Sequence, residues 1–459
     1  MAVVVGYGAG NADMTADANG TVCIGSVSGN AITSGIGNTA VGYYALAVEN
    51  DGDHSTAIGY QSLTAQTGTT GTVQNTAVGF KSGLSINTGA QNTIVGTYAA
   101  DALTDATANV AVGVDALGSS VSGSQIVAIG HSAVGGANVT TGANGTVGIG
   151  KDALVQLTSG SGNVAVGYHA LDAVVGGSHN TAVGYDALTA WNVNGDGNNT
   201  AVGSEAGAAL TTGVSNVLIG AEAGKAAQDV DGLVLVGDNA GKTLNNSNAD
   251  NTIAVGRDAL VALTSGNSNI AVGAYTLDAM TVGDNNTAIG THAGTAIDSS
   301  DGNDDNTFVG AGAGLNTTDA DQSTLIGYSA GRWYGNSTGN NATGRIQHCT
   351  FVGSSTQGSS NTPTNQIVIG DNATGQGDNY AVIGDENITR VYMAQDSGAT
   401  VYANNAIMAG GETTISEAMQ GSASDTILNS MNLNLTDTTA WGSMDSSKVN
   451  GGGITFRGV

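Results

Sequence analysis

Proline, cysteine, aromatic residues and positive charge are all scarce in this chain. Pro363 is the only proline in 459 residues, and no strict every-third glycine exists, so the 73 glycines do not make a collagen. There are two cysteines, Cys23 and Cys349, and neither belongs to a metal-spacing motif. Aromatics at 4% rule out a large core of Phe and Trp, so small residues must pack closely. Ten Lys and Arg face 37 Asp and Glu, a formal net charge of −27. That balance opposes nucleic acid, whose phosphates need a basic surface, and anionic lipid. It suits a soluble elongated surface or the binding of cations. No apolar run approaches the ~18 residues of a membrane span. Met1–Gly6 also lacks the basic segment and long apolar run of a secretory signal. The expectation is therefore no membrane insertion and no entry into the secretory route by the chain itself.

What is abundant is repetition. The pentad Asn38-Thr-Ala-Val-Gly42 returns as Ser55-Thr-Ala-Ile-Gly59, Asn75-Thr-Ala-Val-Gly79 and Asn92-Thr-Ile-Val-Gly96, and again as Asn180-Thr-Ala-Val-Gly184 and Asn286-Thr-Ala-Ile-Gly290. Gly42, Gly59, Gly79, Gly96, Gly113, Gly184, Gly203 and Gly290 all occupy the same place, and most successive motif glycines lie 17 residues apart. A short fixed period means one structural unit stacked on itself. Hydrophobic residues make up 40% of the chain and fall on that period, which excludes simple disorder.

With the motif glycine at position zero, position −1 is Val or Ile and position −2 is mostly Ala. Neighbours in a strand point to opposite faces, so two apolar neighbours mean that both faces are covered. One face fills the coil, and the other meets something else, most simply another copy. Cys23 stands at −2, in place of Ala, as a small buried filler. Position −4 is often Asn, which at about 4.8 Å per coil predicts amide ladders. After the glycine, segments such as Tyr43-Tyr-Ala-Leu46 predict a second short strand, with the glycine at the corner between the two. Longer loops recur at every third repeat. Either one repeat forms a coil or three build one larger prism turn, and one repeat per coil is favoured because two short strands and two turns already close a small loop. Stacking in order separates Cys23 from Cys349 too far for a bridge.

The Asn-Thr-Ala-Val-Gly-Tyr-x-Ala-Leu repeat resembles the head repeats of trimeric autotransporter adhesins. It is still more similar to the repeat shafts of bacteriophage tail fibres. Val382-Ile-Gly-Asp-Glu-Asn-Ile-Thr-Arg-Val-Tyr392 and the residues to Tyr402 resemble the stretch that closes such shafts. The resemblance implies an all-β, left-handed parallel β-roll assembled as a homotrimeric rod. The domain reading is a repeat shaft over 1–384 with an insertion at 328–352, a shaft-closing segment over 385–409, and a C-terminal foot or tip over 410–459. The function implied is a structural, non-enzymatic fibre of a phage virion, used for host attachment or receptor display. The alternative is a cellular surface adhesin or extracellular filament. Expected partners are the chain itself, other virion or surface proteins, and a host surface glycan or protein.

Candidate chemistry is sparse. Gly237-Asp-Asn-Ala-Gly-Lys-Thr243 superficially looks like a phosphate loop, yet it is one residue short and the same slot reads Gly220-Ala-Glu-Ala-Gly-Lys225 one repeat earlier. No cofactor is expected. Asp298, Asp301, Asp304 and Asp305 form an acidic loop that is a candidate for Ca²⁺, and Asn192-Val-Asn-Gly-Asp-Gly197 has the oxygen-rich first half of a calcium loop. None of the six histidines accompanies a nucleophile signature. Arg332, Trp333, Tyr334 and Arg345 fall in the longest insertion, where aromatics beside amides suit recognition of a sugar or a protein. Trp191, in another polar loop, is read the same way.

Overall fold

The structure, a computed structural model, describes residues 1–391 apart from 16–17, 68–70, 246, 298–303 and 336–342. The chain divides into Met1–Val391 and Tyr392–Val459; the latter, with most of the expected shaft-closing segment and all of the foot, lies outside the described residues.

Residues at −3 to −1 form a three-residue strand in every repeat, as β-branched Thr, Val and Ile on either side of a small residue favour. Each strand pairs in parallel with the equivalent strand of the next repeat: Thr39, Ala40 and Val41 align with Thr56, Ala57 and Ile58. One repeat is therefore one coil, and the coils stack into a single 22-stranded parallel sheet. At about 4.8 Å per strand the roll is roughly 100 Å long. Between coils, Thr39 N–H donates to the Ser55 carbonyl and Gly59 N–H to the Val41 carbonyl, both at 2.8 Å. The long insertion does not break the stack, because Thr324–Ile326 pairs directly with Thr350–Val352.

The motif glycine is needed for two separate reasons. At Gly25 the backbone has φ +130°, and a Cβ would stand 2.6 Å from the Gly42 carbonyl oxygen of the next coil. Each motif glycine therefore rests on the one that follows it.

The expected second strand after the glycine is not formed. That segment is a turn in which every second residue is left-handed, with Tyr44 at φ +55° and Leu46 at φ +50°. Neighbouring coils hold the turn in place: Tyr44 N–H donates to the Ser26 carbonyl, and Leu46 N–H to the Ser62 carbonyl. The turn aims Ala45 and Leu46 inward, and both are fully buried. Second strands do form in three places, but before the pentad: Gly52–Asp53 with Gly71–Thr72, Gly177–Ser178 with Gly195–Asp196, and Asp319–Asp321 with Arg345–Gln347.

The interior is filled by positions −2, +3, +4 and +7. Their sizes compensate one another. Ala40 at −2 accompanies Leu46 at +4, whereas Leu235 accompanies Gly241 and Phe308 accompanies Gly314. A Cβ on Gly241 would stand 2.9 Å from Leu235 Cδ1. Where both positions are small, as in the coil of Ala77 and Gly83, the neighbours fill the gap: Leu63 and Ile94 lie 2.9 and 3.1 Å from where a Gly83 Cβ would be. This keeps the interior filled, as close-packed protein cores require, with few aromatic residues.

Candidate functional site

Three kinds of axial column build the surface and its supports. The first is inside. The Asn residues at −4 are buried and form a ladder: Asn109 N–H donates to Asn92 Oδ1 at 3.0 Å, and Asn109 Nδ2 donates to that same oxygen at 3.1 Å and to the Gly123 carbonyl at 3.0 Å. The pattern repeats at Asn180, Asn199 and Asn286. Each amide thus satisfies backbone groups that the tight coil cannot pair for itself. Cys349 occupies the same position; its Sγ donates to the Gln347 carbonyl at 3.2 Å and accepts from Gln366 N–H at 3.4 Å. Cys23 is fully buried at −2, and burial pushes its thiol up to about 11, so it is an inert filler.

The second kind lies outside and is charged or aromatic. Tyr43, Tyr60 and Phe80, at +1 of successive coils, stack with ring centroids 5.2 Å apart, and Tyr168 and Tyr185 do so at 5.4 Å. At +2 and +5, Lys225 bridges Glu205 and Glu222, and Lys242 pairs with Glu222. Lys242 and then Lys225 hold the Glu222 carboxyl below its ordinary range. The phosphate-loop look-alike is thereby explained by the repeat register: its lysine closes an axial charge ladder. At −6, acidic residues accept backbone N–H groups from the preceding coil: Asp231 Oδ1 from Val214 at 2.7 Å and Asp284 Oδ1 from Asn267 at 2.6 Å.

The third kind is the outer sheet face. Because −2 points inward, −3 and −1 both point out. Not one charged residue stands at either position in any of the 22 strands. The −1 row is open: Ile58, Val95 and Ile289 are 39%, 38% and 42% exposed. A two-residue-wide strip of Thr, Val and Ile therefore runs the length of the roll in a chain with 37 acidic residues.

The expected site residues separate. Arg332 lies over the Trp333 ring with its Cζ 4.4 Å from the centroid. Tyr334 bridges to Gly358 of the next coil. Both aromatic side chains are partly exposed. Arg345 Nε pairs with Asp319 Oδ2 at 2.9 Å and stays half-exposed. Trp191 must be corrected: it is fully buried, with Nε1 donating to the Gly213 carbonyl at 2.9 Å. It occupies +7, the row held elsewhere by Ile86, Leu103 and Leu210, so it offers no surface to a partner. Extending the repeat register past the variable loop would have revealed this.

Of the calcium candidates, Asp298 and Asp301 lie outside the described residues. Asp304 Oδ1 is a rung of the −6 column, accepting from Asp284 N–H at 2.7 Å, and Asp305 is a left-handed turn residue. In the other loop, Asp196 faces His179 at 2.9 Å. Among the described residues no group of three or more His, Cys, Asp or Glu is placed to hold a metal ion. The chain matches no protein-family model and no curated protein. Sequence reading set −1 and −2 on opposite faces without saying which is outer, and missed the companion of −1 at −3, although the alternation of the strand contained it.

Proposed function

We propose that this chain is a structural fibre subunit: three copies lie side by side along their outer sheet faces and form the rigid shaft of a phage virion fibre. The shaft attaches to a host surface glycan or protein and is not an enzyme. The uncharged strip over 22 strands carries this reading. Apolar patches of that extent mark interaction surfaces, and its length and spacing are matched by another copy of the same roll. Stiffness follows from continuous backbone pairing along the axis. Affinity for a host follows from several weak contacts acting together, with Arg332, Trp333, Tyr334 and Arg345 as the contact candidates.

Light scattering and electron microscopy of the purified full chain test this. The expected result is an elongated particle of three times the chain mass, which Val166→Glu on the outer strip converts to single chains of unchanged β circular dichroism. A monomeric unsubstituted protein overturns the assembly. For attachment, Trp333→Ala should weaken binding to target cells several-fold while the particle stays intact.

A further inference from the structure

A face repeated at identical spacing has a difficulty of its own. Copies packed along it can slide by one coil and find nearly the same contacts. Something has to fix their axial register if the assembled rod is to have flush ends. The −3 row contains such a device. Two aliphatic coils are followed by four threonine coils (Thr39 to Thr93), four aliphatic coils (Val110 to Val164), two threonine coils (Thr181 and Thr200), four aliphatic coils (Val217 to Ile270), four threonine coils (Thr287 to Thr350), and finally Ile367 and Ala381. The row is thus written in blocks with six boundaries. None of its ten threonine hydroxyls has a side-chain hydrogen bond within the described residues, so all ten are free to bond elsewhere.

We propose that these threonine blocks set the axial register between copies of this chain, an inference that rests on the self-association proposed above. A hydroxyl is both donor and acceptor, so threonines at equal height on facing copies satisfy one another, as cross-strand Thr pairs do within a sheet. A slip of one coil sets threonine against valine or isoleucine at each of the six boundaries and covers a hydroxyl that has no partner. Polar residues on an apolar seam fix the register of coiled coils by the same logic. The block order reads the same from either end, so −3 threonines would also match between antiparallel copies. The −1 row of Val and Ile is not symmetric in this way, and a three-fold shaft requires parallel copies.

Single cysteines on the open row report the register. Chains carrying Val95→Cys, Val112→Cys or Ile289→Cys are mixed in pairs, refolded together and oxidised, since a disulfide forms only where the Cβ atoms come within about 4.5 Å. The native cysteines are buried. Position 95 should link to 95 and at least ten-fold less to 112 or 289. With all ten −3 threonines changed to valine, the residue natural to many of these coils, linking of 95 to 112 should rise to within two-fold of 95 to 95, at unchanged particle mass and circular dichroism. Equal linking of 95 to 95 and to 112 in the unsubstituted background overturns the register, as does an unchanged register in the valine variant. Preferred linking of 95 to 289 overturns the parallel arrangement. Single chains by light scattering, seen before any cross-linking, overturn the assembly itself.

Discussion

At the residue scale, the motif glycine tolerates the least change. Gly113 has φ +138°, and a Cβ there would press on the Gly130 carbonyl. Gly113→Ala combines a left-handed backbone with a clash against backbone that cannot rotate away, and should cost at least about 2 kcal/mol, measured as a lowered midpoint in denaturant. Asp278 behaves in the opposite way. Its Oδ1 is buried without a hydrogen bond, and burial first, with Asp258 adding to it, raises its carboxyl above the ordinary value. A carboxyl raised on folding favours the native state only while protonated. That contribution is complete below the unfolded value of about 3.9 and is lost as pH rises through the folded value. Asp278→Asn should therefore raise the melting temperature at pH 7, and the gain should fade toward pH 4.

At the scale of the single coil, the interior works as a pair of complementary volumes. Leu235→Ala alone leaves a cavity beside Gly241 and should cost about 2–5 kcal/mol. Adding Gly241→Leu restores the Ala and Leu arrangement seen at Ala40 and Leu46, and should recover most of the loss in thermal melts. Gly241→Leu without its partner overpacks and destabilises. This exchange was within reach of sequence reading, since positions −2 and +4 are fixed by the repeat. So were the strand, its one-coil register and the −4 ladder, because each depends on residues at constant distance from the glycine. The turn was not legible. Tyr43-Tyr-Ala-Leu46 reads as a short apolar strand, its left-handed residues carry side chains, and the glycine that marks +4 appears only in other coils such as those of Gly83 and Gly241. They are held by hydrogen bonds from other coils, which local pattern does not contain. Trp191 was misread for a related reason: position +7 holds Glu49, Gln66, Ile86 and Trp191 in different coils, and only its register shows that it is interior.

At the scale of the whole roll, each coil touches only its neighbours, so stability is close to a sum of coils and the joints between them. Removing residues 168–184, one full period from after Gly167 through Gly184, should leave a folded protein of unchanged circular dichroism, shorter by about 4.8 Å. Removing eight residues from the same place should lower the melting temperature, because the coil between Gly167 and Gly184 then loses the turn and interior residues that close it. The insertion at 328–352 shows the tolerance in the other direction: length is added between Gly327 and Gly353 while the strands on either side still pair.

The backbone hydrogen bonds of the sheet lie along the axis, and this has a mechanical consequence. Tension between the ends of the roll loads the joints in series, while the bonds of any one joint share the load. Fracture then occurs at the weakest joint rather than by gradual stretching. Among the described joints, Ile367–Ile369 against Ala381–Ile383 is the natural breaking point: its coil spans only 14 residues between Gly370 and Gly384, its inward Val382 is incompletely covered, and Tyr380 stands at −4 where many earlier coils place a buried Asn.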